Sequence, residues 1–189
     1  MQHKQRFTNV TLVTPYGEEA KDLLIDDDKI VDILSPNENI SDDWKIIDGQ
    51  NNFIFPGMID VLQHGFLNYL YGHAEENCTV DNSKILPSVG VTGFLPSTPC
   101  LPPEKTKTLL NALSNDIDKA KEGARVLGIH SEGPCFALPG AHDPKNLRNP
   151  SVSLAEELLD ACQGKLKALT LAPEMNGSEE FIKLSLIHI

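Results

Sequence analysis

Residues 126–144, VLGIHSEGPCFALPGAHDP, constrain the fold more than any other stretch. The run begins as an apolar strand and ends as a loop dense in Gly, Pro and His. Side chains alternate along a strand, so Val126, Gly128, His130 and Glu132 share one face and Leu127, Ile129 and Ser131 the other. Gly133-Pro134 then stops the strand and leaves His130 and Glu132 together at its C-terminal end. In α/β proteins that end of a strand is where chemistry is placed. Taken singly, His130 reads as a hydrogen-bonded core histidine, and Glu132 as a helix cap or half of an ion pair.

The rest of the chain supplies the setting. Residues 6–13, 23–25, 29–34 and 44–47 read as short strands between turn signals, among them the acidic turn Asp26-Asp27-Asp28. From Phe53 the character changes. Residues 53–62 are nearly continuous apolar, the pattern of a strand buried on both faces of a parallel sheet. Helices over 82–89, 102–121 and 154–161 then alternate with strands over 91–95, 126–132 and 166–171, and a further helix starts at 178–183. Leu109, Leu110, Leu113 and Ile117 fall at helical spacing in the longest of these. Repeated β–α units imply an α/β fold with a parallel sheet and right-handed crossovers, either a barrel or a doubly wound sheet.

Charge and cysteine usage narrow the function. A net charge of −11 over 189 residues argues against nucleic acid or an anionic membrane as partner, and an anionic substrate would need a local basic pocket. No apolar run is long enough to span a bilayer, and MQHKQRF lacks the apolar core of a signal peptide, so the expectation is a cytoplasmic protein. Cys78, Cys100, Cys135 and Cys162 are widely spaced and read as reduced thiols. Cys135 follows the Gly-Pro turn as a nucleophile would, but no partner base is identifiable, and it reads as a packing residue.

Taken as a run, HSEGP with GAHDP resembles the HxEGP…GAHDP signature of N-acetylglucosamine-6-phosphate deacetylases, in the metal-dependent amidohydrolase superfamily. FPGMIDVLQHG, GVTGFLPST and LTLAPE agree with that family in the same order, from about Leu23 to Glu174. The resemblance implies the amidohydrolase (β/α)8 TIM barrel. About four of its eight units would be present, because a complete barrel takes about 250 residues. It also implies a division into residues 1–53, N-terminal strands of a small β-sandwich domain, and residues 54–183, the first half of the barrel. Residues 184–189, LSLIHI, do not resemble the family's continuation and match the translation of a common sequencing adapter. They are expected to be a non-native tail, so that His188 is not a ligand.

The same resemblance implies the chemistry. The activity would be hydrolysis of the acetamide of N-acetylglucosamine 6-phosphate, a small amino-sugar phosphate, by a homodimer that uses a divalent metal, zinc foremost. Glu132 would be the metal ligand on this strand, with Ala141 and His142 contacting the sugar phosphate and His130 lining the pocket. The segment between Glu132 and Gly140 is two residues shorter than the family's and lacks its Lys pair. The general acid/base Asp and the remaining metal histidines of the family would lie past Glu174, so no catalytic residue is expected in this chain. Leu62 stands where binuclear relatives have the first His of an HxH pair. His64 is therefore expected to line the pocket and one metal to serve each complete subunit. Asp60 reads as structural and His73 as a loop residue.

Overall fold

The structure, a computed structural model, describes residues 4–41, 43–67, 69–73 and 77–188, without the side chains of His73 and His188. The role expected for His188, and Ile189 of the tail, lie outside the described residues. The chain forms two compact units, Met1–Pro56 and Gly57–Ile189.

The first unit is a four-stranded sheet. Its strands are β1 (Lys4–Thr14), β2 (Gly17–Asp26), β3 (Lys29–Leu34) and β4 (Lys45–Ile54), in the order β3-β2-β1-β4. The first three form an antiparallel meander, and β4 joins β1 in parallel. Val10, Leu12 and Leu23 make a small core on one face. A bulge interrupts β1 between Phe7 and Val10. Gly49 is required opposite it, since a Cβ there would lie 2.1 Å from Val10 Cγ1.

The second unit alternates strand and helix. After β5 (Met58–Gln63) come a short ribbon of β6 (Gly65–Phe66) and β7 (Tyr69–Leu70), then α1 (Cys78–Ile85) and β8 (Val91–Thr98). There follow α2 (Pro103–Lys119), β9 (Arg125–Val126), β10 (Ile129–Glu132), α3 (Val152–Cys162), β11 (Leu166–Thr170) and α4 (Ser178–His188). The sheet runs β11-β10-β8-β5 with every pair parallel, and β9 pairs with β8. Pro103 opens α2 at the first turn, where its missing N–H costs nothing, and Ser151 caps α3 by accepting from Leu154 N. Leu109, Leu110 and Leu113 of α2 and Leu154 and Leu158 of α3 bury their stripes against Phe94, Ile129 and Leu166 of the sheet. His73 ends a single 3-10 turn, Tyr71–His73, rather than lying in an irregular loop.

Two expectations about strands are corrected. Residues 53–62 are not one doubly buried strand: Pro56-Gly57 separates β4 from β5, which belong to different sheets. Pro offers no ladder donor, and β5 is an edge strand, so Ile59 and Val61 remain exposed. The strand expected over 126–132 is likewise broken at Leu127-Gly128. Gly128 takes φ +146° where the chain closes on β11, and a Cβ there would stand 2.8 Å from Lys165 O. Only glycine fits that approach.

Candidate functional site

The site lies at the C-terminal ends of β5, β8, β10 and β11. Glu132 ends β10 and His64 follows β5 directly, yet β8 lies between those strands. His64 Nε2 stands 3.2 Å from Glu132 Oε2, and His142 Nε2 stands 3.8 Å from the same oxygen. The structure thus brings together three of the residues singled out from the sequence.

Local chemistry holds each of them. His64 Nδ1 lies 3.1 Å from the carbonyl oxygen of Ser97 at the end of β8, a contact in which only the ring can donate. Ser97 Oγ also accepts from Gln63 N, so one serine positions both residues. With Nδ1 committed as a donor, a neutral His64 would turn the Nε2 lone pair toward a carboxylate. Favourable contact requires a proton or a cation between them. His142 comes from the loop after β10. Its ring stacks on Phe136, with centroids 4.9 Å apart and planes 7° from parallel, and the His142 backbone N–H donates to Pro139 O. The loop is tied down by Arg148, whose N–H donates to Pro134 O and whose guanidinium makes a two-pronged pair with Glu157. That pairing holds the Glu157 carboxyl below its ordinary range.

His130 is engaged elsewhere than with Glu132. Its Nδ1 is 2.7 Å from Val61 O and its Nε2 2.8 Å from Thr170 Oγ1, so it is a fully satisfied, buried histidine. Ala141 is exposed beside His142. Asp60 Oδ1 accepts from Leu62 N. Cys135 is buried, and burial pushes its thiol up to about 11. Ser97, Phe136 and Thr170 were not singled out from the sequence. Thr170 had no signal in the sequence, for it comes opposite Glu132 only once β10 and β11 pair. Phe136 had a weak one, the single aromatic residue of the segment between Glu132 and His142.

As donors, Glu132 and His64 suit a divalent ion, but three protein ligands are usual even for a catalytic zinc. Among the described residues no group of three or more His, Cys, Asp or Glu is placed to hold a metal.

No protein-family model matches the chain. It is 30% identical over 185 residues to the N-acetylglucosamine-6-phosphate deacetylase of Danio rerio, an alignment taking in 92% of this chain and 45% of that protein. The crystal structure of N-acetylglucosamine-6-phosphate deacetylase from Pasteurella multocida matches at 26% identity with a TM-score of 0.81, over 95% of this chain and 48% of that one. The corresponding enzyme from Thermotoga maritima matches at 29% identity and a TM-score of 0.75, over 95% and 46% of the two chains. The chain spans about half the length of the curated relatives it matches. By sequence and by fold along nearly all of its length, the chain is a relative of the N-acetylglucosamine-6-phosphate deacetylases.

Proposed function

We propose that the chain is part of an enzyme that hydrolyses the acetamide of N-acetylglucosamine 6-phosphate to glucosamine 6-phosphate and acetate. The observation that carries this reading is the convergence of His64 and His142 on Glu132 at the C-terminal ends of a parallel sheet. Glu132 would hold one divalent ion, zinc foremost, with further ligands from outside the described residues. A bound divalent ion would polarise the acetyl carbonyl and acidify a water. His142, braced by Phe136, and the backbone of Ala141 would face the sugar phosphate. The general acid/base would come from a segment not in this chain.

The four parallel strands with their helices would then be half of an eight-stranded amidohydrolase barrel. The unpaired edges of β5 and β11 and the exposed Ile59 and Val61 support that reading. On it, residues 1–53 belong to a small β-sandwich, 54–183 to the barrel and 184–189 to a non-native tail, and the complete protein is a cytoplasmic homodimer. The test compares this chain with a longer gene product that continues past Lys183, assaying release of glucosamine 6-phosphate and acetate. The longer product should turn over and the chain alone should not. A longer, zinc-loaded product that leaves the substrate intact would overturn the proposal.

A further inference from the structure

We infer that His130 is a positioning residue, a clamp across three strands that sets His64 against Glu132. The inference rests on the reading of His64 and Glu132 as the heart of the site, but not on any particular reaction there.

The ladder between β5 and β8 loses register between Asp60 and Gln63, which leaves Val61 outside the regular pairing. Its carbonyl is met instead by His130 Nδ1, reaching across from β10 over the intervening β8. A carbonyl can only accept, so Nδ1 carries the hydrogen. At 2.8 Å, Thr170 Oγ1 on β11 then completes the ring's pairing by donating to Nε2. The acceptor-only Val61 O thus sets the tautomer, and Thr170 anchors the ring's other nitrogen. Without the Thr170 hydroxyl the ring loses that anchor and is held on Val61 O less firmly.

The clamp closes near the site on both sides. Val61 is three residues before His64 on one strand, and His130 is two before Glu132 on the other. His130 is buried, so its two contacts compete little with water. The ring thus adds a tie at Val61, inside the irregular part of β5, to those that Gln63 makes with β8. Among the described residues the His64 ring meets Ser97 O and Glu132, and its backbone carbonyl accepts from Tyr71 N.

The test uses this chain and the rate at which diethylpyrocarbonate modifies each histidine, mapped by peptide mass spectrometry. His142 is the internal reference, because it also faces Glu132 but hangs from the loop that Phe136 and Arg148 brace. His130→Phe removes both contacts while filling the space. It should speed modification of His64 between about two- and tenfold, the range expected for losing the one of these hydrogen bonds that reaches β5, at Val61 O, and leave His142 within twofold. His130→Asn, whose amide can sit where Nδ1 sits, should return His64 to near the wild-type rate. Thr170→Val should raise it by an intermediate factor. Unchanged His64 reactivity in a folded His130→Phe variant would overturn the inference, as would equal acceleration of His64 and His142, which would mark general loosening. If His130→Phe does not fold, Thr170→Val decides: a rise confined to His64 supports the clamp, and an unchanged rate refutes it. None of these readings needs metal, substrate or turnover, so the clamp can fail while the deacetylase reading stands, and the reverse.

Discussion

His64 and Glu132 come from strands that are not neighbours, yet His64 Nε2 lies 3.2 Å from Glu132 Oε2. The sheet must therefore curve so that the C-terminal ends of β5 and β10 converge on the face that carries these side chains. Because Ser97 O takes the other ring nitrogen, the contact needs a proton or a cation to be favourable. A neutral amide in place of the carboxylate would remove that demand.

Glu132→Gln should accordingly cost a complete protein most of its bound divalent metal, since an amide is a poor ligand for a hard cation. Deacetylase activity should fall by orders of magnitude with it. Elemental analysis of the purified variant checks this independently of turnover. Wild-type metal content would show that Glu132 serves only as an ion-pair partner for His64.

The first unit has a buried ion pair that sequence inspection passed over. Arg6 Nε and Nη2 both donate to Asp22 Oδ2, at 2.9 and 2.6 Å, and both residues are buried. Removing one partner strands the other charge. Asp22→Ala should destabilise the unit by about 3–5 kcal/mol, and replacing both residues with apolar ones of similar volume should cost much less. Urea unfolding of the single and double variants checks both figures.

Burial of the cysteines sets an alkaline limit. Cys135 is pushed up to about 11 and Cys162 to about 12, each by burial, from an ordinary value of 9.0. A raised value in the fold means that the folded state keeps its proton where the unfolded chain releases it. Stability is then complete below pH 9 and declines as pH climbs through the folded values. Cys135→Ala should flatten the part of that decline between about pH 9 and 11. Thermal unfolding midpoints measured across that range test it, and an unchanged slope would mean that other groups govern the alkaline side.

Much of the α/β order was legible because it rests on local signals. The stripe of Leu109, Leu110 and Leu113, the strand end at Gly133-Pro134 and the turn at Asp26-Asp27-Asp28 each announce themselves within a few residues. His130 and Glu132 could be placed at a strand end by alternation alone. What alternation cannot supply is the partner on another strand. Val61, Ser97 and Thr170 meet His130 and His64 only through sheet order and curvature, which no single strand encodes. The run over 53–62 misled for the same reason: apolar continuity says that a strand is greasy, not which sheet receives it. Arg6 and Asp22 were hidden because a charged residue in an alternating strand reads as its solvent face until a partner strand is in place.

Gly128 is where a single added carbon should reach the site. Its φ of +146° suits glycine alone, and a Cβ would meet Lys167 Cγ at 2.2 Å and Lys165 O at 2.8 Å. The lysine side chain can swing aside, but the carbonyl cannot, because Lys165 O accepts from Ile129 N at the start of β10. Gly128→Ala must therefore push β10 away from β11 or twist the backbone into a strained region, at a cost of about 1–3 kcal/mol. The first ladder contacts between these strands, Ile129 with Leu166 and His130 with Ala168, stand beside the substitution. Displacement there moves the His130 ring from Thr170 and carries Glu132 with it. The expected result is a lowered unfolding midpoint together with faster diethylpyrocarbonate modification of His64. Serine at the same position should behave like alanine, since the obstacle is the Cβ itself. Wild-type stability in Gly128→Ala would show that the strands part freely at this point, and that the break between β9 and β10 is not enforced by the approach of β11.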